Sequence, residues 1–312
     1  MTDALLNHAQ HSIKVGSKSF DSAARLLPAD VRRGAMMLYA WCRHCDDTID
    51  NQTAGWANTG QAQRGGSDGR ARLDSLRAQT RLAYAGHPMA HPAFAAFQDV
   101  INRFDIPMQF ALDHLAGYEM DVQACRYETI DDTLRYCYRV AGVVGLMMSS
   151  VLGVRSPDAL DRACDLGLAF QLTNIARDII DDRAIGRIYV PLVWLQAQGL
   201  EPDTLHLPSN RQALARVAAQ LVDAAEPYYA SASSGLQAMP LRSAWAIATA
   251  RGVYRDIGLK VVARGPTAWD TRVRTSRGEK LGILARSAVH AIYSRWAHYP
   301  PRPHSLWMRP GR

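Results

Sequence analysis

Little in this chain speaks for an oxidising compartment. Its five cysteines, Cys42, Cys45, Cys125, Cys137 and Cys164, are an odd number without the spacing of a disulfide framework. Cys42 and Cys45 form a lone CxxC; a zinc site would need about two further nitrogen or sulfur ligands nearby, and none accompanies it, so buried, unpaired thiols are expected. Long apolar runs are also missing. The most apolar stretch, Val140 to Val154, has 15 residues and is broken by Gly142, Gly145, Ser149 and Ser150, whereas a membrane-spanning helix needs about 20 apolar residues. The opening MTDALLNHAQ has no signal or transit pattern, which predicts a cytoplasmic protein. Nowhere do apolar and polar residues alternate over a useful length, which leaves little or no room for β-sheet. No GxGxxG fingerprint is present, which argues against a Rossmann dinucleotide-binding domain.

What is there reads as an ordinary globular chain, 48% hydrophobic and 21% charged. The net charge of +7 is unevenly placed: ten Lys or Arg against Asp270 and Glu279 follow Val261, giving +8 there and −1 for the first 260 residues. A duplex reader would carry its basic face on the folded body, so nucleic acid is not an expected partner. A basic end suits anionic membrane lipid or phosphate groups.

Helical periodicity predicts an all-α body. Helices are expected over residues 3–25 with a break near Gly16, then over 31–50, 73–84, 93–103, 107–121, 131–154, 159–183, 210–229 and 241–259. The Gly- and Ser-rich 54–70 reads as a loop. One domain over 1–290 and a basic, Pro-rich tail over 291–312 are the expected organisation. The 140–154 segment is expected to be a central buried helix whose glycines leave room for a long apolar ligand.

Two stripes organise the chain. In QLTNIARDIIDD, Gln171, Asn174, Asp178 and Asp182 are spaced three, four and four residues apart; in YAWCRHCDDTID, Tyr39, Arg43, Asp46 and Asp50 are spaced four, three and four. At about 3.6 residues per turn each set projects from one side of a helix, where a core helix would present leucine or valine. Asp47 and Asp181 lie off these lines. Both helices run through apolar neighbours, and unpaired carboxylates inside a protein are costly without a cation. Oxygen ligands on two helix faces suit a hard ion such as Mg²⁺, which is held by one or two carboxylates plus water and substrate phosphates. Arg43 and Arg177 beside those acids suit phosphate oxygens. Read blandly, both stripes are solvated faces in which each arginine pairs with an acid three or four residues on; two matched stripes in one chain favour a shared metal–diphosphate site.

With SKSF at 17–20, YCYRVAGVVG at 136–145, GRIYVP at 186–191 and YRDIG at 254–258, these cassettes resemble the squalene/phytoene synthase family over nearly the whole chain. The resemblance implies a single-domain isoprenoid (terpenoid) synthase fold with a central apolar cavity. It implies Asp46, Asp50, Asn174, Asp178 and Asp182 as ligands of several Mg²⁺ or Mn²⁺ ions. Ser17, Lys18, Ser19, Arg43, Arg177 and Arg187 would bind diphosphate, with Tyr39, Tyr136, Gln171 and Tyr254 along the reaction cavity. The implied reaction joins two prenyl diphosphates head to head through a cyclopropylcarbinyl diphosphate, with released diphosphate or the Tyr136 hydroxyl taking the proton.

The wording of the motifs looks most like bacterial members of carotenoid pathways, which implies two geranylgeranyl diphosphates per turnover and no NADPH. Farnesyl diphosphate as substrate, giving squalene or dehydrosqualene, is the alternative within the family; head-to-tail prenyl transfer or terpene cyclisation lies outside it. A catalytically silent scaffold would show broken cassettes, and both are intact. Ala24, one turn beyond Phe20, is the residue expected to admit the longer prenyl tail. The tail, with Trp296, Tyr299 and Trp307 among its arginines, is either a peripheral contact with anionic membrane or a solvated end, while Arg272, Arg274 and Lys280 could instead reach the diphosphate.

Overall fold

The computed structural model describes residues 2–16, 23–50, 52–53, 56–57 and 67–311. Its helices in chain order are α1 (Thr2–Gly16), α2 (Ala29–Asp50), α3 (Ser67–Tyr84), α4 (Pro92–Phe104), α5 (Met108–Val122), α6 (Ile130–Cys137), α7 (Val143–Val151) and α8 (Pro157–Ala184). They continue with α9 (Leu192–Ala197), α10 (Arg211–Ser234), α11 (Leu241–Arg264) and α12 (Arg277–Tyr293). Among the described residues the only strand pairing is a two-residue antiparallel hairpin, Gln52–Thr53 against Trp56–Ala57.

α8 is the axis. Ser156 caps it, its hydroxyl accepting from the Ala159 N–H, and Pro157 fills the first position, where no N–H is needed. Leu168, Ala169, Leu172 and Ala176 are fully buried, and α6, α7, α10 and α11 pack around the helix. That enclosure is why its polar stripe cannot be a solvated face. α2 is its counterpart in the other half of the molecule, packed on α1 and α4 with Trp41 stacked on Phe97 at 4.0 Å between ring centroids.

The single helix expected over 131–154 is three pieces. A capping box of Thr129 and Asp132 opens α6, a five-residue π-helical turn (Tyr138–Gly142) follows, and α7 completes the run. The glycines do not leave room for a ligand. A Cβ on Gly145 would stand 2.4 Å from the Ala163 carbonyl oxygen, and one on Gly167 would stand 2.4 Å from that of Ala141. They are consumed by a backbone-to-backbone crossing of α7 and the π turn with α8.

The C-terminal end is not a loose tail. Residues 294–311 return to α8, where Arg302 grips Asp165 at 2.8 and 2.9 Å and Arg309 grips Asp161 at 2.8 Å. Both acids are almost wholly buried, and Trp307 lies 5.5 Å from the Tyr138 ring. No helix among the described residues is long and apolar enough to cross a membrane. All five cysteines are free thiols.

Candidate active site

The C-terminal halves of α2 and α8 carry the two acid stripes, and a turn joins them. Past the end of α8, Gly186 takes a left-handed φ of 79° and the Arg187 N–H donates back to the Asp182 carbonyl at 2.9 Å, a glycine termination that reverses the chain. It throws the Arg187 guanidinium across to α2, where Nη1 donates to Asp50 Oδ2 at 3.3 Å and Nη2 donates to Oδ1. Residues 137 apart in sequence thus share one ion pair.

Asp46, Asp47, Asp178 and Asp181 are also approached by arginines. Arg43 reaches Asp46 at 3.0 Å and Asp47 at 2.8 Å. Arg177 holds Asp178 with both Nε, at 2.8 Å, and Nη2. Arg272, from the loop before α12, adds a bond to Asp178 at 3.0 Å and approaches Asp181 at 3.6 Å. Because Arg43, Asp47, Arg177 and Asp178 are largely shielded from solvent, whereas Asp181 is exposed, the inner pairs stand in a medium where charge is dearer than in water.

The carboxyls respond accordingly. Burial, and then the charge of Asp50, push Asp46 up to about 7 against the partial relief that Arg43 gives. Burial and the neighbouring Asp178 drive Asp182 well above the usual carboxylate range. Burial works against the Arg187 charge, yet Tyr189, Asp121 and Asp50 outweigh it and hold the group above the ordinary arginine value. Arg187 therefore feels the acids of both helices, and its charge favours the ionised form of Asp46 and Asp182 alike.

A further acid, on a third helix, borders the site. Asp121, in the last turn of α5, accepts from the Tyr189 hydroxyl at 2.8 Å and from Tyr136 at 3.4 Å. The two tyrosine rings stack at 4.3 Å. Burial pushes Asp121 up to about 6, while Arg187 and the tyrosine hydrogen bonds pull the other way. Burial also raises the Tyr136 phenol well above its ordinary value. Tyr136 is thus a neutral donor to Asp121.

The donor set fits a hard divalent cation. Every stripe ligand is an oxygen, like charges crowd both acid pairs, and Asn174 Oδ1 is buried with no hydrogen-bond partner while its Nδ2 donates to Gln171 at 3.3 Å. Among the described residues no three His, Cys, Asp or Glu side chains gather closely enough to hold an ion by themselves. Any ion here would draw one or two ligands from each helix and the rest from water or substrate oxygens.

Of the residues expected from sequence, Asp46, Asp50, Asp178, Asp182, Arg43, Arg177, Arg187, Asn174 and Gln171 come together on facing segments. Tyr39 is half-buried beside Arg43, Asp46 and Tyr254, and Tyr254 stacks on Phe170 at 4.2 Å. Ser17, Lys18 and Ser19 lie outside the described residues. Asp121 and Tyr189 were missed. Tyr189 sits inside the GRIYVP motif, but Asp121 gave no periodic signal. Of Arg272, Arg274 and Lys280, the three basic residues considered for the diphosphate site, Arg272 reaches the acids through Asp178 and Asp181.

The squalene/phytoene synthase family model matches residues 13–279. The chain is 55% identical to a 15-cis-phytoene synthase of Pantoea ananas over 307 residues, 98% of both chains. It is 46% identical to another from a Paracoccus species over 310 residues, 99% of each. Among solved structures it resembles a dehydrosqualene synthase determined with a ligand, with a TM-score of 0.83 and 27% identity over 94% of this chain and 98% of that one. Two acid helices facing each other through Arg187, in a chain matched from end to end, place it in that fold and lineage: the chain belongs to the squalene/phytoene synthase family.

Proposed function

We propose that the chain is a phytoene synthase: it joins two geranylgeranyl diphosphates head to head through a cyclopropylcarbinyl diphosphate and releases diphosphate. The observation that carries this reading is the Arg187 bridge, which unites two oxygen-donor stripes around one anion-seeking centre. Mg²⁺ or Mn²⁺ held by Asp46, Asp50, Asn174, Asp178 and Asp182 would supply Lewis acidity at the departing diphosphate.

The chain's own residues do the rest. Arg43, Arg177, Arg187 and Arg272 are the donors for diphosphate oxygens, and their planar forks suit a charge that grows as the carbon–oxygen bond breaks. Tyr39, Gln171 and Tyr254 border the reacting carbons. The apolar α7 wall, with Val143, Leu146 and Met147 fully buried, keeps water from the two successive allylic cations. Tyr136 holds its proton against Asp121, which leaves released diphosphate, close to the arginines, as the acceptor of the proton lost from carbon. Ala24, 3% exposed, is the position at which a larger side chain would shorten the space for a twenty-carbon tail.

The test is product analysis. Purified protein with geranylgeranyl diphosphate and Mg²⁺, without NADPH, should give a forty-carbon hydrocarbon. Turnover of farnesyl diphosphate in place of geranylgeranyl diphosphate would overturn the substrate assignment. That second reading is kept because of the likeness to the dehydrosqualene synthase structure.

A further inference from the structure

α12 wears its apolar side outward. Toward α11 it presents Ile283, Ser287 and Ala291, all buried. Its outer face carries Leu281, Ala285, Val289, Ile292 and, in the turn that ends it, Trp296. These are spaced four, four, three and four residues apart, so they form one ridge. The four most exposed large hydrophobic side chains among the described residues all belong to this helix or that turn: Trp296 at 74%, Val289 at 68%, Leu281 at 66% and Tyr293 at 64%. Such a contiguous apolar surface marks contact with something apolar.

What borders the ridge says what that is. At about 100° per residue, Arg277 and Arg295 fall along one side and Arg286 along the other. Inside Arg286, between α11 and α12, a pocket of about 240 Å³ is lined by Arg251, Arg255 and His290 together with Ile283 and Leu259. Arg251 is anchored through Nε to the Tyr229 carbonyl at 2.8 Å, and Arg255 through Nε to Glu226 at 2.8 Å. Asp256, the acid in the lining, is engaged by Lys260 at 3.0 Å. Glu279, the acid of α12, is held by the same lysine at 2.5 Å. The ridge thus has cationic margins and a cationic pocket at its foot. A second copy docked face to face would bring the same arginines against one another with no free acid to answer them.

We infer that the outer face of α12 is a membrane-docking surface for a bilayer containing anionic lipid. The helix lies in the interface plane with Leu281, Val289 and Ile292 among the acyl chains, Trp296 and Tyr293 at headgroup level, and lipid phosphates against Arg277, Arg286 and the pocket. The inference does not depend on which prenyl diphosphate is used, because docking is measured without substrate.

The full chain is floated with phosphatidylcholine vesicles containing phosphatidylglycerol and with pure phosphatidylcholine vesicles, and its mass is followed by light scattering. Binding should need the anionic lipid and weaken with salt. It should fall about tenfold or more in an Arg277→Gln/Arg286→Gln variant, and it should vanish in Leu281→Glu/Val289→Glu. Both variants change exposed side chains, so their unfolding midpoints should match wild type. A wild type that ignores anionic vesicles, or a ridge variant that binds as well as wild type, overturns the inference. So does a wild-type dimer that the ridge substitutions split, which assigns the face to a second copy. Vesicle binding abolished by millimolar inorganic phosphate at constant ionic strength, with the ridge variant behaving as wild type, assigns the pocket to a soluble anion and likewise overturns it.

Discussion

Asp46 keeps 40% of its side-chain surface open, yet protein crowding and Asp50 push its carboxyl up to about 7. Asp46→Asn and Asp178→Asn keep the shape and remove the charge. Each should lower turnover by about two to three orders of magnitude while the far-ultraviolet circular dichroism stays unchanged; wild-type rates in either would remove that acid from the site. His114 gives a pH prediction away from the acids. Its Nδ1–H donates to the Arg139 carbonyl at 3.2 Å, its Nε2 lies 3.3 Å from the Tyr118 hydroxyl, and burial lowers its pKa from 6.5 to about 4. Between those values the unfolded chain binds the proton and the folded chain does not. Stability from this group is therefore full above about pH 6.5 and declines as the pH falls towards 4, by about 3 kcal/mol in all. Urea unfolding across that window should show the slope, and His114→Gln should reduce it by up to one proton. The stripes were legible because a helix turns periodicity into a face. Asp121 was not, because its role comes from hydroxyls of two residues on other parts of the chain.

At the level of elements, the crossing of α7 with α8 fixes how the acid-bearing helix sits. Gly145→Ala would place a methyl 2.4 Å from the Ala163 carbonyl oxygen, an obstacle of backbone that no rotamer change relieves. The loss should be about 3 kcal/mol, read as a lower urea midpoint with an unchanged slope. A substitution without effect would show that the two helices can separate. Periodicity located most helices, since their apolar faces point inward. It merged α6, the π turn and α7 because a five-residue turn of that kind is set by register against α8, not by local composition. It passed over α12 for the opposite reason: the apolar stripe there faces out, and the arginines around it made 277–293 read as part of a basic end.

For the whole molecule, the order of motifs made the family and its all-helical architecture legible, since two acid cassettes over a hundred residues apart have to meet. The closure of the C-terminal end was hidden, because Asp161 and Asp165 carry no mark of their distant partners. Arg302→Met leaves Asp165, 1% exposed, without its bidentate counter-charge. The cost should be about 3–5 kcal/mol, seen in the urea midpoint, and a loss under about 1 kcal/mol would show that Ser231 and Arg162 suffice. The same contacts bear on how the protein is made. Asp165 and Asp161 wait for partners 137 and 148 residues downstream. At ~5–20 residues per second that delay is about 7–30 s of translation. Through that interval the nascent chain holds its axial helix without Arg302 and Arg309 at these two acids, a stretch in which a ribosome-associated chaperone has the time to engage it.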